Sequence, residues 1–230
     1  MKDERDSGEG RNSLAAIDPY LAFLIFAVVG LGTWRIGEEA RLLILWLVLL
    51  GACLVYAEEK ALAVQYGLVN LGRGIVVALV ISLPLLLLAR DALKTVSANL
   101  FPLASEAVLF QNLVLLAAPI EGLYFRGFLQ RERGLVVAAL LYGLGQGILF
   151  LPGLSSFPAV LVALVVAAAL LGFVYSYVCQ RYGLSASMSC HATVNLVLLF
   201  LPPALDKWLG VGSASLGSMK GGALFLLSLQ

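Results

Sequence analysis

Glu121 is a carboxylate inside a run that is otherwise apolar from Val108 to Leu129. The chain has fourteen Asp and Glu residues, and the others fall in polar stretches or at the edges of apolar ones. An ionisable group at such a depth costs several kcal/mol, so it must face a polar cavity or a partner. Two further apolar runs offer matching groups. One reads L-Y-G-L-G-Q-G-I, with Gln146 among Gly143, Gly145 and Gly147. The other reads S-A-S-M-S-C-H-A-T-V-N and holds His191, the only histidine. There Ser187, His191 and Asn195 recur every four residues and so share one helix face.

A carboxylate, an imidazole and two amides in three apolar runs could share one buried polar site. A packing reading stands beside each. Glu121 could be a protonated interhelical hydrogen-bond donor, the Ser187–His191–Asn195 face a polar helix seam, and the glycines close-approach points. A Ser187–His191 nucleophile pair lacks a separate group to orient the base. Glu121 and Arg126 lie five residues apart, about 140° around an α-helix, and so do not form a same-face pair. Arg126 is therefore expected to snorkel to the membrane boundary, with Glu132 compensating its charge.

These residues need elements to hold them. Hydrophobic residues make up 61% of the chain and charged residues 13%, with a mean hydropathy of +0.97. That excludes an ordinary soluble domain, where about a quarter of residues are charged. A net charge of +1 gives no footprint for nucleic acid. Cys53, Cys179 and Cys190 lie in or beside apolar runs, which points to packing and not to a disulfide framework. The fold class expected is all-α, a polytopic transmembrane helical bundle of about 7–8 spans, each about 20 apolar residues long. The spans read as Pro19–Trp34, Leu42–Ala57, Ile75–Ala89 with a kink at Pro84, Val108–Leu129, Gly134–Leu151, Ala159–Val178 and Leu184–Leu201. Arg35–Arg41, Pro152–Pro158 and Cys179–Gly183 read as turns, Ala61–Gly74 as an interfacial segment, and Arg90–Glu106 as a surface connection. Pro202 and Pro203 close the seventh span, and Leu209–Gln230 is a candidate eighth.

With seven spans and the N-terminus inside, the inner loops hold nine Lys and Arg residues against five outside. That bias favours an N-terminus in the cytoplasm, and the cytoplasmic (inner) membrane is the expected location. Residues 1–18 read as a polar N-terminal tail. Residues 19–107 are N-terminal membrane helices with a surface segment, 108–201 a core that carries the chemistry, and 202–230 a C-terminal segment.

Three motifs on three runs, in this order, resemble the CAAX prenyl-protease and bacteriocin-processing (CPBP, or Abi) family of intramembrane proteases. That family carries E-E-x-x-x-R, F-x-x-x-H and H-x-x-x-N or H-x-x-x-D. Here they stand as E-G-L-Y-F-R (Glu121–Arg126, followed by Gly127 and Phe128), Y-G-L-G-Q (Tyr142–Gln146) and H-A-T-V-N (His191–Asn195). The resemblance covers about Leu113–Leu201. It departs from the pattern at Gly122, where the family has its second Glu, and at Gln146, where it has its first His.

The resemblance implies an intramembrane endopeptidase. Glu121 would be the base, His191 and Asn195 the oxyanion side, and Gln146 a degenerate catalytic position that cannot titrate. Arg126 and Tyr142 are the supporting motif residues. No cofactor is expected, and zinc is disfavoured because a catalytic site needs about three protein ligands and one histidine falls short. Partners would be the bilayer and a membrane peptide or protein substrate, such as a lipidated or C-terminal tail. The rival reading is a catalytically silent relative that binds such a tail as an immunity or assembly factor. A small transporter ranks below both, because no inverted repeat shows in the hydropathy.

Overall fold

The structure is a computed structural model that describes residues 18–59, 67–101 and 105–208. The polar tail, most of the linker before Gly67 and the candidate eighth span lie outside these residues. Among the described residues every regular element is helical. The helices are α1 (Pro19–Gly32), α2 (Glu38–Glu59), α3 (Leu68–Leu100), α4 (Glu106–Leu154), α5 (Pro158–Tyr182) and α6 (Leu184–Leu205). Among the described residues, α2 to α6 are the five helices long and apolar enough to cross a membrane, and α1 is a shorter apolar helix. The chain is thus a polytopic helical bundle, with five long apolar helices in place of the 7–8 expected. In α5, only 22% of the most apolar window is buried inside the protein. The exposed face, with Val162, Val166 and Leu170, suits lipid.

Several local expectations are corrected. The departure from helical geometry in α3 comes at Ala89, five residues beyond Pro84. Arg90–Leu100, expected as a surface connection, is helical and follows the break at Ala89, with only Ser97 and Leu100 of it buried. α2 begins at Glu38, inside the expected charged turn. α4 passes through Pro152, and α5 extends to Tyr182, so the turns after them are shorter than their composition implies. The helix after Leu201 also continues, carrying Pro202 and Pro203 within it. Propensity ended these segments early, whereas in lipid every backbone group needs an internal partner, which favours an unbroken helix.

A straight α4 would be about 74 Å long, more than twice the hydrocarbon thickness. It turns back at Gly134, whose φ of 85° is left-handed space that only glycine enters without strain. Residues 106–133 and 135–154 form two antiparallel arms, and the ring of Phe125 meets that of Tyr142 at 5.2 Å. Gly183, at φ 91°, makes the equivalent break between α5 and α6.

Glycine also sets the closest helix contacts. A Cβ on Gly143 would lie 2.6 Å from the Val165 carbonyl oxygen of α5. The hairpin tip is tied to the start of α1. There Arg133 pairs with Asp18, and the Tyr124 hydroxyl donates to the Pro19 carbonyl at 3.0 Å.

Arg41 was expected in a turn, but it is buried between α1, α2 and the second arm of α4. It donates to the carbonyl oxygens of Gly30, Ile148 and Leu149. The reason lies in Pro152. Proline has no N–H, so the carbonyl four residues earlier, that of Ile148, loses its helical partner. Arg41 supplies the missing donor, and carbonyl dipoles help to hold its charge alongside the nearby Glu38.

Candidate active site

Glu121 closes a single α-helical turn, Ala118–Glu121, between two stretches of wide π-helical turns, Gln111–Ala117 and Gly122–Leu129. A third such stretch, Leu196–Phe200, follows directly on Asn195. Two of the three end just before prolines, Pro119 and Pro202. A proline leaves upstream carbonyls without their usual donors, and wider turns pair them again. π-helical turns are otherwise rare and cluster at functional sites.

The wide turns overturn the expected placing of Arg126. Hydrogen bonding from residue i to i+5 brings residue 126 beneath residue 121, and Arg126 Nη1 reaches the Glu121 carbonyl oxygen at 3.5 Å. The side chain is 3% exposed, so it does not snorkel. Its guanidinium lies 4.1 Å from the centre of the Tyr142 ring and 4.9 Å from that of Tyr175, a cation–π clasp. Glu132 accepts a hydrogen bond from Tyr56 at 2.9 Å.

Glu121 is 2% exposed, and both its oxygens are engaged. Trp46 Nε1 of α2 donates to Oε1 at 3.1 Å, and Gln146 Nε2 of the opposing α4 arm donates to Oε2 at 2.7 Å. His191 Nε2 lies 3.8 Å from Oε2 and 3.1 Å from the Tyr142 hydroxyl. The imidazole stacks on Tyr175 at 4.7 Å, and its Nδ1 has no hydrogen-bond partner.

The structure thus brings Glu121, Gln146, His191, Tyr142 and Arg126 into one buried cluster. Asn195 lines the same cavity as Tyr142 and Gln146, and its amide donates to the Leu113 carbonyl at 3.0 Å. Ser187 donates to the Tyr175 carbonyl at 2.8 Å, a bond of the seam type that orients no nucleophile. The carboxylate missing from the motif would not fit as packed, because a Cβ on Gly122 would lie 2.8 Å from Met188 Cγ.

Sequence reading missed Trp46 and Tyr175. Both sit well inside apolar helices instead of at the interfaces where Trp and Tyr collect. A buried Trp N–H or Tyr O–H usually finds a partner, and that was the available signal.

An apolar cavity of about 330 Å³ reaches the cluster, walled by Tyr142, Gln146, Tyr175, Asn195, Phe150 and Leu198. Among the described residues, no three His, Cys, Asp or Glu side chains gather as a metal site would require. Glu121 and His191 supply two such ligands at most.

Residues 103–197 match a family model described as type II CAAX prenyl endopeptidase Rce1-like. The chain carries an Rce1-like domain of the CPBP family. The matched stretch contains both arms of α4, all of α5 and the part of α6 bearing His191 and Asn195, so the whole cluster except Trp46 lies in the Rce1-like domain. No curated protein and no solved structure matches the chain. Membership of a CAAX protease family makes a peptidase acting on peptide or protein substrates in the membrane the activity to be expected of the Rce1-like domain.

Proposed function

We propose that the protein is an intramembrane endopeptidase that uses Glu121 as general base. The observation that carries this reading is the 3.8 Å approach of His191 Nε2 to a buried Glu121 carboxylate, beside an apolar cavity of about 330 Å³. A water held by Glu121 would give up its proton to the carboxylate as its oxygen attacks the scissile carbonyl. The carbonyl oxygen becomes an oxyanion facing His191 and Asn195, whose N–H groups stabilise it. Collapse breaks the C–N bond, and the proton returns from Glu121 to the departing amine. In this role Gln146 orients the water but cannot accept its proton, and Asn195 exchanges its bond to the Leu113 carbonyl for one to substrate.

With α1 and each arm of α4 counted as separate crossings, the proposed topology has seven. The N-terminus and the hairpin tip then lie at the cytoplasmic face, in keeping with the Lys and Arg bias.

The rival is a silent relative that binds a membrane peptide or lipidated tail. One observation favours it: both Glu121 oxygens already hold donors, and a base must release one of them to hold water. The deciding experiment presents purified protein in vesicles with a library of membrane-anchored peptides. Cleavage by wild type that Glu121→Gln abolishes supports the protease. Equal cleavage by both proteins would remove Glu121 from the mechanism. Binding without cleavage by wild type, lost in Glu121→Ala, supports the rival.

A further inference from the structure

A second cavity, of about 730 Å³, opens at the end of the bundle where the α4 hairpin turns. Four arginines line it: Arg73 from the start of α3, Arg126 and Arg131 from α4, and Arg181 from the end of α5. Among the described residues, no aspartate or glutamate does. Arg73, Arg131 and Arg181 are exposed and Arg126 is buried, so the cavity presents a positive field that an anion would complement.

Arg126 gives a separate indication. It is 3% exposed, yet its Nε and Nη2 have no hydrogen-bond partner, and it forms no ion pair among the described residues. Its ring contacts and the nearby Glu121 side chain offset part of the charge and leave those donors unused. Gln130, also on the wall, commits its Nε2 to the Ser176 carbonyl at 2.9 Å and leaves Oε1 without a partner. That oxygen is an acceptor suited to a hydroxyl. Arg73 is steadied over the Tyr182 ring at 5.4 Å.

Guanidinium forks match phosphate oxygens in pairs, more closely than a point cation does. The cavity lies between membrane helices at their polar ends, the depth at which lipid phosphates sit. We propose that it is a binding site for the phosphate of an anionic lipid headgroup, with Gln130 receiving a headgroup hydroxyl. This goes beyond the protease reading and does not depend on turnover.

Native mass spectrometry of the full-length protein in detergent tests it, with titration by phosphatidylglycerol, phosphatidylcholine or inorganic phosphate. The expected result is preferential retention of phosphatidylglycerol over phosphatidylcholine. Arg73→Gln combined with Arg181→Gln should weaken that retention about tenfold or more. Both residues lie outside the Glu121 cluster, so circular dichroism and any basal cleavage should stay unchanged. If the double variant does not fold, each single substitution is read by the same criterion. Equal retention of the two lipids, or full retention by the folded variants, overturns the proposal. Occupancy by inorganic phosphate at the same concentrations supports the phosphate chemistry and overturns the lipid as its source. Displacement of the lipid by a peptide with a free C-terminal carboxylate, but not by its amide, assigns the cavity to a peptide and also overturns it.

Discussion

The Gln146 amide donates to Glu121 Oε2 at 2.7 Å, across the two arms of one folded-back helix. An amide in that position orients the carboxylate but takes no proton. An imidazole could do both near neutral pH. Gln146→His should therefore raise the cleavage rate, and Glu121→Ala in the same chain should abolish the gain. The rate of product formation from a membrane-anchored peptide is the measurement. A rate left unchanged or lowered would mean that Gln146 is adapted to its role.

Glu121→Gln keeps the shape of the side chain and removes the base. Cleavage should fall by about 10²-fold or more, the usual contribution of a general base. Of the two donors now on the carboxylate, one would lose its acceptor, so a small drop in thermal stability should accompany the loss. A variant that folds and cleaves at the wild-type rate would assign Glu121 to packing.

Arg41 and Pro152 should be coupled, because the arginine satisfies the Ile148 carbonyl that the proline leaves open. Arg41→Met should destabilise the protein by about 2 kcal/mol, the scale of hydrogen bonds to a charged donor. In a Pro152→Ala background the restored N–H can pair with that carbonyl, and the cost should shrink. Unfolding of the four proteins of this double-mutant cycle in detergent measures the coupling, and additive costs would refute it.

Gly143 lies against α5 with no room for a side chain. Gly143→Val must push the helices apart or strain the turn, at about 1–3 kcal/mol. Gly32→Ala is the control, since nothing lies within 4 Å of a Cβ there. Melting temperatures of the two variants against wild type test the difference.

The amino-acid sequence carried the membrane character, the helical class and the residues able to do chemistry. Each follows from local composition or from a polar group in an apolar run. The family resemblance was equally local, since it rests on short motifs in order. Glu121, Gln146 and His191 stand out because an ionisable or amide group in hydrocarbon must find a partner. The identity of each partner was decided by tertiary structure. Trp46 lies 75 residues from Glu121 in the chain, and nothing near it in sequence announces their bond. Arg126 was misplaced because angular arguments assumed an α-helix. Wide turns beside Pro119 changed the register, and proline acts there through carbonyls that only the folded chain can pair again. Arg41 was misread for the same reason in reverse. A charge near a helix start reads as solvated until a distant proline offers it carbonyls to bind. Helix ends were likewise set by the bundle and its lipid surroundings, which keep a backbone helical past residues that end helices in water.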